Sequence, residues 1–199
     1  MSYREPSIKR VVIFFDCQNL FNACKNLWGY SFPNFDPIKL SNMVIRNHQN
    51  GGWLLHGMRL YTGIHDIHVN RPWHDFWNRK ILATKNLYPS MFVFTSQLRY
   101  TQKVAREKGV DVRIAIDLVR MARKNEYDVA VLFSQDNDFE EVAKEIRDIS
   151  KEKRQWLKIA TAFPSDNMPN ITRGVRRTDW IRITKAEYDL CLDQNDYRK

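Results

Sequence analysis

Along the chain, short runs that are apolar at every position alternate with longer stretches that are apolar only on one helical face. Val11-Val12-Ile13-Phe14-Phe15 is a continuous β-prone run that stops at Asp16, and Val129-Ala130-Val131-Leu132-Phe133 is a second that stops at Ser134. Residues 53–61, 91–94 and 157–163 read as further strands, and 180–183 as a short last one. Between them, residues 19–28, 36–48, 110–124 and 139–153 carry helical periodicity. Pro72 sits at a first helical position and predicts a helix to Leu87. Strands apolar on both faces are buried on both faces, the habit of a parallel sheet covered by helices. The expected class is therefore α/β, an open, mostly parallel sheet with helices on both sides. No repeat or linker interrupts the pattern, so one domain is expected over residues 8–183, with a tail at 184–199.

Composition narrows the partners. Of the 199 residues, 43% are hydrophobic, enough for a sizeable core and against general disorder. The longest uncharged run, residues 86–98, is too short and polar to span a bilayer, so no membrane partner is expected. The first ten residues lack an apolar signal core. Cys17, Cys24 and Cys191 form no C-x-x-C pair, which speaks against a disulfide scaffold or structural zinc. A reducing, cytoplasmic location is the expectation. Lysine and arginine exceed aspartate and glutamate by 32 to 23, and the net charge of +9 favours a polyanion, nucleic acid first.

In open α/β sheets, ligands bind beyond the carboxyl ends of the strands. Strand one ends in Asp16-Cys17-Gln18-Asn19, and the 129–133 strand in Ser134-Gln135-Asp136-Asn137-Asp138-Phe139. Between them lies Lys108-Gly109-Val110-Asp111, opening a helix whose stripe is Val110, Ile114, Leu118 and Met121. Asp117 falls at the edge of that stripe, where a carboxylate needs a partner. Each acid also has a purely structural reading. Asp16 is placed to cap the first helix, and Asp136 or Asn137 the last long one. Asp138 with Glu141 fits a capping box, and Asp117 can pair with Arg113 or Arg120. Taken together, acids converging at one sheet edge of a basic protein call for a cation, and Mg²⁺ or Mn²⁺ suit carboxylate oxygens.

Other α/β chemistries lack their signatures. There is no G-x-G-x-x-G and no G-x-S-x-G. Gly52 and Gly57 have P-loop spacing, but Met58 and Arg59 follow where Lys and Ser or Thr are required. Gln18 replaces the second acid of a phospho-aspartate D-x-D.

The three motifs, Asp16-Cys17-Gln18-Asn19-Leu20, Lys108-Gly109-Val110-Asp111-Val112 with Ala115 and Asp117, and Ser134-Gln135-Asp136-Asn137-Asp138-Phe139, resemble the NYN-domain family of PIN-like proteins. The resemblance is nearest its LabA-like branch, and Arg177-Thr178-Asp179-Trp180-Ile181 is similar to that branch's closing segment. It spans nearly the whole chain. It implies a Rossmann-like PIN fold and a metal-dependent endoribonuclease acting on single-stranded or structured RNA with Mg²⁺ or Mn²⁺. By motif match, Asp16, Asp117, Asp136 and Asp138 are the catalytic and metal-binding acids, and Asn19, Asp111 and Ser134 support them. Gln135 stands where the family usually carries glycine, which questions access to the metal. A non-catalytic RNA- or protein-binding module and a DNA nuclease stay open as alternatives. So do a homodimer and an accessory protein partner.

The RNA path is expected on a basic tract, residues 71–108, which holds Arg71, Arg79, Lys80, Lys85, Arg99, Lys103, Arg106 and Lys108. Trp73, Phe76, Trp77 and Tyr100 are interleaved, as base stacking would use them, although several also suit a core. A second basic cluster is Arg173, Arg176 and Arg177. His65, His68 and His74, with Asp66 and Asp75, allow zinc ligation or a polar surface turn. Cys17 is either a redox-sensitive thiol or a small buried residue.

Overall fold

The computed structural model describes residues 3–101, 104–106, 108–166 and 173–198. Six strands form one sheet: β1 (Lys9–Asp16), β2 (Trp53–Ile64), β3 (Phe92–Gln97), β6 (Val129–Phe133), β7 (Lys158–Pro164) and β8 (Asp179–Ile183). Their spatial order is β3-β2-β1-β6-β7-β8, and every neighbouring pair is parallel. β4 (Arg99–Thr101) and β5 (Val104–Arg106) pair as a separate antiparallel ribbon.

The period-two geometry of β1 explains why it is apolar throughout. Val11, Ile13 and Phe15 face one layer and Val12 and Phe14 the other. The first layer packs α1 (Cys17–Trp28), α2 (Pro37–Asn47) and α3 (Arg71–Leu87) through Leu20, Cys24, Leu40, Val44 and Phe76. The second packs α4 (Val110–Arg123) and α5 (Glu140–Glu152) through Ile114, Leu118, Ala143 and Ile146. The chain builds one half of the sheet outward from β1 and then the other half from β6. The strand order therefore reverses between β1 and β6, which opens a crevice at their carboxyl ends.

Residues beyond Ile183 pack onto this body. Thr184 and Glu187 form a capping box for α6 (Lys185–Asp189), Tyr188 and Cys191 are buried, and Asp193 pairs with the buried Lys80 at 3.0 Å. Burial removes Lys80 from the expected RNA path. All three cysteines are buried, so Cys17 is a core residue. Among the described residues, no helix is long and apolar enough to cross a membrane.

Candidate active site

Asp16 is the last residue of β1 and the N-cap of α1, where its Oδ1 accepts the Asn19 N–H at 3.1 Å. The capping role expected for it is real. Its other oxygen, Oδ2, accepts the Ser134 hydroxyl at 3.1 Å, which ties the end of β1 to the end of β6. Ser134 Oγ in turn accepts the Asp136 N–H at 3.2 Å, and the Asn19 side-chain oxygen accepts the Gln135 N–H at 2.9 Å. Asn19 and Ser134 thus link the two strand ends to each other across the crevice.

Asp16, Gln18, Asn19, Asn22, Asp111 and Asp136 line a cleft of about 220 Å³ here, with no lysine or arginine among them. Asp111 reaches it from the first turn of α4. Gly109, at φ +81°, turns the chain into that helix through a conformation that side-chain-bearing residues rarely adopt. Asp16 is only 7% exposed, and burial pushes its carboxyl up to about 6. The charges of Asp136 and Asp111 push the same way, against the hydrogen bonds from Asn19 and Ser134.

The structure separates the other expected acids from this cleft. Asp117 is six residues beyond Asp111, about 9 Å along the α4 axis and on a different face. There it is fully buried and accepts from Arg59 (2.9 Å), Arg113 (3.1 Å), Arg120 (2.7 Å) and the Tyr61 hydroxyl (2.8 Å). Burial alone would raise its pKa, but these donors outweigh it and hold the carboxyl below its ordinary value. Asp117 thus pairs with Arg113 and Arg120 on its own helix, and Asp111, expected as a supporting residue, lines the cleft. Asp138 is exposed on the 3₁₀ turn Asn137–Phe139 and does not line the cleft. The turn is capped by Asp136, whose Oδ1 accepts the Asp138 N–H at 3.0 Å. The expected Asp138–Glu141 capping box does not form, because α5 starts at Glu140 with no side-chain cap.

Gln135 does not close the cleft. Its Nε2 donates to the Arg173 carbonyl at 3.0 Å, which turns the side chain toward the 173–177 segment. Arg176 and Arg177 are largely exposed and both pair with Glu140, at 2.7 and 2.8 Å. Arg99 and Lys108 are exposed, while Lys103 and the side chain of Arg106 lie outside the described residues. Phe76 and Trp77 are buried and so cannot stack on bases, whereas Trp73 is half-buried. His65 and His74 line one pocket and His68 is exposed apart from it. Among the described residues, no group of three or more His, Cys, Asp or Glu side chains is placed to hold a metal ion, and the zinc reading finds no support there.

A site that uses only one or two carboxylates needs no such group. Mg²⁺ commonly keeps several waters and takes only one or two protein carboxylates. Asp16, Asp111 and Asp136, with the amides of Asn19 and Asn22, offer hard oxygen donors without a basic competitor, which suits that ion.

The sequence profile of the NYN domain matches residues 10–168. No curated protein matches. Among solved structures, a protein of unknown function from Vibrio parahaemolyticus is similar, at 17% identity and a TM-score of 0.57. The match covers 93% of this chain and 98% of that one, and it shows a shared fold.

Proposed function

Because this chain belongs to the NYN domain family, whose PIN-like members are generally nucleases, we propose that it is a metal-dependent ribonuclease hydrolysing RNA phosphodiester bonds at the Asp16–Asp111–Asp136 cleft. The observation that carries the reading is the state of Asp16. It is a nearly buried carboxylate with acidic neighbours and, among the described residues, no ion-pair partner. A bound cation relieves that repulsion.

NYN and PIN-like nucleases typically use divalent metals, and one or two of Asp16, Asp111 and Asp136 would hold Mg²⁺ or Mn²⁺ here, with water completing the shell. When bound, the ion supplies Lewis-acid polarisation of the phosphate and makes a water easier to deprotonate. Asn19 and Ser134 keep Asp16 in one orientation, so the acids do not reorganise when substrate arrives. Asp136, fixed at the head of the 3₁₀ turn, holds its side of the cleft at a set distance from β1. The net charge of +9, with Arg99, Lys108 and Arg173 exposed, draws the polyanion toward an otherwise acidic cleft.

Matched RNA and DNA oligonucleotides, incubated with Mn²⁺, Mg²⁺ or EDTA, test this reading. The expected outcome is RNA cleavage with Mn²⁺ or Mg²⁺, none with EDTA, and none by Asp16→Asn. Equal cleavage of DNA would reassign the substrate. RNA binding without any cleavage would make the protein a binding module.

A further inference from the structure

The sheet edge that carries Asp16 continues past the cleft. Asp16 is level with Tyr61, but β2 runs on to Ile64 and β3 beside it to Gln97. On this ledge His65, Asp66, His74, Asn78, Ser96 and Gln97 line a second cavity of about 290 Å³. Its polar groups suit an uncharged, hydrogen-bonding ligand. His65 contacts the Tyr100 hydroxyl at 2.7 Å, and burial lowers its pKa, which favours the neutral ring. Asp66 is engaged by Gln97 at 2.6 Å, and Asn78 lies against His74. Ser96 Oγ is buried and, alone among the buried side-chain N and O atoms of the described residues, has no hydrogen-bond partner. A buried hydroxyl without a partner calls for an explanation, and rotation of the Ser96 side chain toward a bound base would supply one.

Aromatic rings lead from the cleft to this cavity. Phe21 lies on α1 between the cleft residues Gln18 and Asn22. Its ring centroid is 6.5 Å from that of Trp73, Trp73 is 6.5 Å from His65, and His65 is 6.1 Å from Tyr100. All four rings are partly exposed. Single-stranded RNA is recognised by stacking on such rings and by hydrogen bonds to base edges.

We propose that the His65–Asn78–Ser96 pocket reads one base of a single-stranded RNA whose neighbouring bases stack on Phe21 and Trp73 on the way from the acidic cleft. The inference rests on the ribonuclease reading and adds a sequence preference to it. Ser96 and Asn78 supply the discriminating hydrogen bonds, and Arg99, exposed beside Tyr100, contacts the backbone.

The test follows the five histidine side chains by NMR as poly-A, poly-C, poly-G or poly-U octamers are added to the wild-type protein in EDTA. One homopolymer should shift His65 and His74 with an affinity at least about fivefold above the weakest, the low end of what a well-made base contact provides. Ser96→Ala and, separately, the exposed Asn78→Ala should each shrink that ratio several-fold. RNA that binds without moving His65 and His74, or four homopolymers of equal affinity, overturns the proposal. RNA cleaved in Mn²⁺ with those histidines unmoved sinks the pocket alone, whereas absence of both binding and cleavage sinks the ribonuclease reading with it.

Discussion

Asp16 and Asp117 are both buried aspartates beside the central strands, and their neighbours drive them in opposite directions. Asp117 sits among three arginines and a tyrosine hydroxyl, and its carboxyl is held below the ordinary value. Asp16 has two single hydrogen bonds and acidic neighbours, and its carboxyl is pushed up to about 6. The first arrangement is complete as folded. The second has unused acceptor capacity and excess negative charge facing a cleft. Burial is common to both, so the set of partners is what distinguishes a structural carboxylate from one available to a ligand.

The largest expected effect belongs to the completed site. Asp117→Asn removes the charge that Arg59, Arg113 and Arg120 share, and breaking a buried pair from one side costs about 3–5 kcal/mol. Denaturant unfolding of this variant should show a loss of that size. The wild-type contribution has a defined pH window. A folded pKa below the unfolded 3.8 gives stability that is present above pH 3.8 and lost as pH falls through the folded value. The difference between wild type and Asp117→Asn should therefore shrink only in strong acid.

Asp16→Asn should have the opposite sign in metal-free protein. A carboxyl raised from 3.8 to about 6 contributes stability that is full below pH 3.8 and lost as pH rises through 6. Asparagine is neutral throughout and can still cap α1. Above pH 6 the variant should exceed the wild type by up to about 3 kcal/mol, and near pH 3.5 the two should converge. A variant less stable than wild type at pH 7.5 would give Asp16 the same structural character as Asp117.

Divalent metal separates the two sites at a slightly smaller scale. At a hundredfold excess over its dissociation constant, a ligand bound only by the native state stabilises by about 2.7 kcal/mol. Thermal melts with Mn²⁺ should show a gain approaching this in wild type and in Asp117→Asn, and little in Asp16→Asn. An equal gain in all three would move the metal away from the cleft.

Much of the fold is legible in the residues. The runs Val11–Phe15 and Val129–Phe133 are apolar at each position because both sheet faces are covered, and the acids that follow them mark the crevice. The assignment of acids within the site is legible only in part. Asp111 and Asp117 share a helix and a residue type, and their difference depends on Arg59 and Tyr61, which arrive from β2 more than fifty residues earlier. Lys80 reads as one cation of a basic tract, yet it is buried against the Phe35 carbonyl and Asp193, partners remote in sequence. For α6 the signal was present, since Thr184-Lys185-Ala186-Glu187 spells a capping box before a short helix. The β4–β5 ribbon has three-residue strands, too short for a periodic pattern to show.

The central claim is that the cleft is built from Asp16, Asp111 and Asp136, with Asp117 a structural residue behind it. The most direct measurement is Mn²⁺-dependent cleavage of a single-stranded RNA by Asp111→Asn and Asp117→Asn. Both are assayed well below their melting temperatures and normalised to the native fraction. Asp111→Asn should lose about 10²–10³-fold in turnover, the scale of removing one electrostatic group from an active site, with its melting temperature nearly unchanged. Asp117→Asn should keep turnover within a few-fold of wild type per folded molecule. Full activity in Asp111→Asn together with abolished activity in folded Asp117→Asn would contradict the account.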